Sequence, residues 1–168
     1  GLITECKLKL TNKPNNYLDL FLSMRNEQKA IDFHDFLYEE FNKNMSKITA
    51  LEYFGYNSQK YMKHREFLFK NNTDVGIYIQ IPIYKGSLES KSIEWMELIN
   101  RFDNTINTDN IIVLNDPYIW KLFFEARHSI PDNALTQTKK LGGISIITDT
   151  IVPPLNYRKY LNLIHEKL

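Results

Sequence analysis

A single cysteine, Cys6, is present in 168 residues. It has no partner for an intramolecular disulfide and cannot build a cysteine-rich zinc site. It fits a reducing compartment, so the expected location is cytoplasmic. Charge of one sign is equally scarce. Lys and Arg number 21 against 20 Asp and Glu, a formal net charge of +1. No global field therefore draws the chain to nucleic acid or to an acidic membrane. No apolar run reaches the roughly 18 residues of a membrane-spanning helix, and no charged start, apolar stretch and small-residue cleavage site follow one another as in a signal peptide. The short catalytic signatures are missing too: no G-x-x-x-x-G-K-[ST], no G-x-G-x-x-G, no G-x-S-x-G, no H-E-x-x-H and no calcium-binding loop. Common ATPase, dehydrogenase, hydrolase and zinc-protease readings fall with them. No repeat, low-complexity tract or linker divides the sequence.

What is present is an ordinary globular composition. The chain is 43% hydrophobic, 24% charged and 13% aromatic, with ten Tyr and ten Phe. That length buries roughly two-thirds of the unfolded surface without a metal or disulfide, so residues 1–168 are read as a single globular domain. The aromatic surplus fills a core and leaves rings for a surface that binds something.

The clearest pattern is DVGIYIQIPIY, Asp74 to Tyr84. Val75, Ile77, Ile79, Ile81 and Ile83 share one face of a strand, because alternate side chains point the same way. Pro82 donates no N–H, which places this strand near an edge or leaves it unpaired at that end. Leu2 to Leu10, turn residues Thr11 to Asn16 and Tyr17 to Met24 read as a hairpin. Asn26 caps a helix to about Phe41, and Ile48 to Tyr56 is a strand. Ser58 to Lys70 leans to helix. A helix over Lys91 to Asp103 follows the Ile strand. Asn110 to Leu114 is a strand covered on both faces, and Asp116-Pro117 opens a helix ending near Arg127 and His128. Ile130 to Lys140 reads as loop, Ile144 to Thr148 as strand, and Pro153-Pro154 opens a last helix with Tyr157, Tyr160, Leu161, Ile164 and Leu168 on its stripe. The expected fold is α/β or α+β: one mixed sheet, an antiparallel N-terminal hairpin, and a βαβαβα half of parallel strands with helices on both faces.

Four groups of residues carry candidate chemistry. Lys85, Ser87, Asp116 and Asp149 end the strands of the βαβαβα half, where open parallel sheets bind ligands. A cation beside two carboxylates serves acid–base work or a divalent ion; the plain alternative is that polar residues end most strands and Asp116 is a helix cap. Asp32, Asp35 and Glu39, with His34 and Glu40 adjacent, line one helix face and would welcome a basic protein; the plain alternative is a solvated face. Lys60, Lys63, Arg65 and Lys70 interleave with Tyr61, His64, Phe67 and Phe69 in the manner of single-strand binders, or form a surface helix with an aromatic inner side. Sixteen Lys to five Arg weakens that reading, because Arg reads bases and phosphates better. Glu5-Cys6-Lys7 has the E-x-K of metal-dependent nucleases but no acidic residue ahead of it. Cys6 is expected to pack in the core.

These residues support a protein-binding module without catalysis, of the small inhibitor or immunity type, with a protein partner of basic character and no cofactor, resident metal or membrane. The alternatives are a divalent-metal enzyme acting on nucleic acid or phosphoryl groups through Lys85, Asp116 and Asp149, and a nucleic-acid-binding piece of a larger protein. The last predicts salt-sensitive retention on single-stranded DNA that weakens when Lys63 and Arg65 become Ala; no retention at low salt removes it.

Overall fold

In β1 (Asn16–Met24), Leu18, Leu20 and Leu22 alternate with Asp19, Phe21 and Ser23. β3 (Val75–Ile83) alternates its Val and Ile residues with Gly76, Tyr78, Gln80 and Pro82. The two strands pair antiparallel in a register that sets Leu18 opposite Ile81, Leu20 opposite Ile79 and Leu22 opposite Ile77. One face of the sheet is thus an unbroken Leu/Ile surface, and the other carries rings and polar groups. The computed structural model describes residues 4–7, 10, 12–106, 110–144 and 150–167, with Tyr56 described by its backbone alone.

Two shorter strands complete the sheet. β2 (Ala50–Phe54) pairs with β3, and β4 (Ile111–Val113) pairs with β1, both antiparallel. The order is β2-β3-β1-β4. β1 and β2 run the same way with β3 between them, and β3 and β4 run the same way with β1 between them. This is the split β-α-β arrangement repeated twice, the ferredoxin-like topology of an α+β sandwich.

The Leu/Ile face is covered by α1 (Glu27–Glu40) and α3 (Leu88–Phe102). Asn26 caps α1 by accepting from the Lys29 N–H, and Ser87 and Ser90 form a capping box on α3. Ala30, Phe33 and Leu37 of α1 and Trp95, Leu98 and Ile99 of α3 are buried against the strands. Phe102 stacks on Phe33 and Phe36, closing the layer between the helices. Lys29 of α1 meets Asp103 at the end of α3 at 2.6 Å. That ion pair and Thr105 hold the Asp103 carboxyl down at about 2.

The second face is covered by α4 (Pro117–Lys140), by a 3-10 turn over Tyr56–Tyr61 and by the single-turn α2 (Arg65–Leu68). Its core is aromatic: Phe21, Phe54, Phe69, Tyr78 and Phe123. Phe21 meets Phe69 edge-on at 5.3 Å between centroids and Phe123 at 5.9 Å. Asp74 ties the loops beneath this layer, accepting from Ser23 Oγ and Asn71 N while its carbonyl accepts from Gln59. α5 (Tyr157–Lys167), preceded by a 3-10 turn over Pro154–Asn156, lies against α1.

Several sequence expectations change here. A single sheet with helices on both faces is observed, but every pairing among the described residues is antiparallel. The helical crossover from β3 returns to a strand of the same direction, as the β-α-β order implies, yet β1 is inserted between the two. The hairpin before β1 is not formed by the described residues: 4–7 and 10 are in no strand, and Cys6 is exposed rather than packed. β3 is central, not at an edge, and the other expectation from Pro82 is the one observed: the strand is unpaired on one side at that end. Pro82 is tolerated because β2 pairs only with Gly76 to Gln80, leaving Pro82 a strand neighbour on one side. Among the described residues β4 is an edge strand with β1 as its one strand neighbour, and it is not covered on both faces, since Val113 is exposed. Ser58 to Lys70 is a 3-10 turn and one turn of helix, separated by His64 at a left-handed φ of 55°. The expected loop from Ile130 to Lys140 is helix: α4 runs on through Pro131, whose missing N–H and ring face solvent. It ends where Gly142, at φ +71°, gives its N–H to Lys139 O while Gly143 gives its own to Thr138 O. Of the expected strand over Ile144 to Thr148, Ile144 is exposed and in no strand, and the rest lies outside the described residues.

Gly76 makes the aromatic layer possible. A Cβ there would sit 2.4 Å from Phe21 Cζ and 3.0 Å from Phe69 Cζ. Gly76→Ala therefore has to push two packed rings apart and is expected to lower unfolding stability by about 1–3 kcal/mol. Urea titration reads this as a lower midpoint at unchanged slope, and an unchanged midpoint would mean the layer is loosely packed.

Candidate functional site

The sheet register brings a polar group onto the second face where α4 leaves part of it open. Asp19 of β1 lies opposite Gln80 of β3, and Tyr78 lies opposite Glu52 of β2. Tyr78 donates its hydroxyl to Asp19 Oδ1 at 2.6 Å, and Gln80 Nε2 donates to the same oxygen at 3.0 Å. One turn beyond Phe123 of α4, Arg127 grips Glu52 with both prongs, at 2.7 and 2.9 Å. Trp120 lies 6.2 Å from the Tyr78 ring and 5.7 Å from Phe123. Asn115, just after β4, binds the β1 backbone on both sides, giving to Tyr17 O and accepting from Asp19 N.

Two groups of this network, Tyr78 and Arg127, are displaced by their surroundings. Burial first, and then the hydrogen bond to Asp19, push the Tyr78 phenol far up, so it stays protonated and acts as a fixed donor. Glu52 raises Arg127 further. Tyr157, pushed up to about 12 by burial, is likewise neutral. Asp103 and Asp32 are displaced downward. Each of these shifts moves away from neutrality, whereas acid–base catalysis draws a group toward the working pH.

Next to this network α4 shows a second apolar stripe. Ile119, Phe123, Ala126 and Ile130 face the sheet. Trp120, Phe124, His128, Pro131 and Leu135, spaced four, four, three and four, form an adjacent row that is exposed to solvent. Phe124 stacks on His128 at 4.0 Å. A shallow recess of about 530 Å³ opens between Arg127, His128 and Pro131 on one side and Phe54, Gly55 and Ser58 on the other.

The residues singled out from sequence are distributed differently. Asp32 and Asp35 receive Arg158 of α5 at 2.9 and 2.6 Å, and Asp35 also meets His34 Nδ1 at 3.0 Å. Glu40 pairs with Arg101 of α3, and Glu39 lies 4.0 Å from Lys43. The acidic face of α1 is thus met by cations of the same chain. Lys60, Lys63, Arg65 and Lys70 are exposed, but Phe69 is buried and Phe67 packs on the second core, so rings and cations face opposite ways. Ser87 and Asp116 are helix caps, Asp116 accepting from Tyr118 and Ile119 N–H. Lys85 is exposed at the same end of the sheet as Asp116, with β1 between their strands. Asp149 lies outside the described residues. Among the described residues no three His, Cys, Asp or Glu side chains are grouped to hold a metal ion, and no helix is long and apolar enough to cross a membrane.

Sequence reasoning passed over Asp19, Glu52, Tyr78 and Gln80. Their signal was the polar side of otherwise apolar strands, a position that reads as solvent-facing until the register is known. No family model matches the chain, and no curated protein matches it in sequence.

The α1–α5 contact is sensitive to acid. Burial tends to raise Asp32, but hydrogen bonds from Arg158 and Gln28 outweigh it and leave the carboxyl below its usual 3.8. A depressed carboxylate stabilises the fold above its unfolded pKa, and that contribution is lost as the pH falls through 3.8 and below. Amide protection in α5 is expected to drop as the pH falls from about 5 to about 2 while β1 and β3 stay protected. An Asp32→Asn, Asp35→Asn double variant should show the weakened α5 already at about pH 6; wild-type protection in that variant would mean these ion pairs do not hold the helix.

Proposed function

We propose that the chain is a protein-binding domain without catalysis, one that docks onto a partner protein and covers part of its surface. The observation that carries this reading is the exposed row of α4: Trp120, Phe124, His128, Pro131 and Leu135 beside the Arg127–Glu52 pair and its recess. Trp, Tyr and Arg are the residues that dominate protein interfaces, and an aromatic anchor next to a recess is the usual form of a binding centre. The displaced pKa values support the non-catalytic side, since the fixed donor Tyr78 and the clamped Arg127 suit recognition better than proton transfer. The partner that fits is a surface offering apolar groups to the α4 row and an acceptor to Arg127. Because Asp32, Asp35, Glu39 and Glu40 meet cations within the chain, a basic partner is not required.

Capture of a stoichiometric partner from native lysate by the tagged protein, at low and high salt, is compared with capture by Phe124→Ser and Leu135→Ser. Each exposed truncation removes about 1–2 kcal/mol of binding, so affinity should fall roughly tenfold for each, with unfolding stability unchanged. Asp32→Asn should bind as the wild type does. A partner retained equally by the α4 variants would sink this surface, and capture of salt-labile nucleic acid alone would sink the reading.

A further inference from the structure

We propose that the cavity between α1 and β2 is a binding site for a small neutral aromatic molecule carrying one N–H or O–H donor, with α5 closing one side of it. The cavity holds about 320 Å³. Small-molecule sites start at roughly 300 Å³, and an apolar cavity of about 150 Å³ already takes up benzene. There is therefore room for one fused bicyclic ring system. Among the described residues the wall is mainly apolar: Ala30 and Ile31 of α1, Met45, Ile48, Leu51 of β2 and Ile77 of β3. Interiors are packed to near crystal density, so apolar groups held this far apart leave contacts unmade that a ligand supplies.

Two groups set the polarity of the ligand. Glu52 is the one carboxylate in the described lining, and Arg127 already grips it at 2.7 and 2.9 Å. A charged ligand would lose its hydration and find no counter-ion, so the ligand is neutral. His34 lies in the same wall and is 8% exposed. Its Nδ1 is 3.0 Å from an oxygen of Asp35, whose carboxylate also receives Arg158 and can only accept. In the neutral ring the proton therefore sits on Nδ1, and Nε2 is an acceptor. Among the described residues no hydrogen bond reaches Nε2, which asks for one donor on the ligand.

The far side of the cavity is formed by Pro154 and Tyr157. The Tyr157 ring lies 4.9 Å from His34, and Arg158 beside it reaches Asp32 and Asp35. No residue of α5 is buried, and its apolar stripe belongs to neither core. The ion pairs of Arg158, and that of His165 with Glu27 at 2.6 Å, thus hold this wall in place. Ligand and helix are coupled: whatever loosens α5 weakens binding, and binding steadies α5 by the same factor.

The probe is indole, titrated into the ¹⁵N-labelled protein. Its control is benzofuran, which has the same shape and an acceptor in place of the N–H. Amide shifts are expected at residues 30–34, 48–53 and 157, and benzofuran should bind roughly tenfold more weakly. Arg158→Gln should weaken indole binding, and indole should slow amide exchange in α5 of the wild type. Ile31→Phe enlarges a wall residue that belongs to neither core and should also weaken binding; if that variant does not fold, the indole and benzofuran pair decides on the wild type. Phe124→Ser should leave the shifts in place, because the α4 row does not line this cavity. No shift at residues 30–34 up to about 5 mM indole overturns the proposal. So does equal binding of benzofuran, and so do shifts confined to Trp120, Phe124 and Leu135, which would mean that indole finds the exposed α4 row alone.

Discussion

The nine-residue register between β1 and β3 governs the rest of the structure. With Leu20 opposite Ile79, every Leu and Ile of the two strands falls on the face that α1 and α3 cover, and every ring and every polar group but Asn16 at the strand end falls on the other. A slip of one residue would exchange the two sets and leave both faces unburiable. The same register places Asp19 within reach of Tyr78 and Gln80, and it leaves Gly76 where the Phe21 ring needs an empty position. Core, aromatic layer and polar network are thus consequences of one alignment.

The two faces are stabilised by different means. The first is aliphatic and continuous, so its strength rests on area removed from water. The second is a cluster of rings that touch edge-on or tilted, with polar groups at its margin. It covers only part of the sheet, and the uncovered part is where Asp19, Gln80, Glu52 and Arg127 meet. Their hydrogen bonds satisfy one another, which lets charged and polar groups stand half-buried against a core without penalty.

Local chemistry was legible in the sequence. Asn26, Ser87 and Asp116 are caps because their short polar side chains reach the first free N–H groups of a helix, a relation that spans three residues. The Ile strand is legible for the same reason, since its period is two. Strand order was not legible. The run β3, helix, β4 carries no mark that β1, some fifty residues earlier, would lie between them. Pro82 read as an edge or an unpaired end, because nothing local reveals that β2 stops short of it. The polar network was hidden in the same way: Asp19 and Tyr78 are 59 positions apart, and Arg127 and Glu52 are 75 apart. Their pairing exists only after the fold does. The polar stretch Ile130 to Lys140 read as loop, yet it is helix, because a polar run on the exposed part of a helix that ends in cations and a glycine stop continues it, Pro131 included.

α4 is long for this sheet. Its 24 residues span about 36 Å, yet its buried positions end at Ser129 and, among the described residues, its last bond to another element is Asn133 to Tyr61. Among the described residues the final turns are thus held chiefly through the earlier half of the helix, whose anchor is Phe123, wedged among Phe21, Phe54 and Tyr78. A rigid beam clamped at one end converts a small push at its tip into torque at its root. Whatever holds the far half of α4 thereby fixes the orientation of the entire sheet in space, without having to touch a strand.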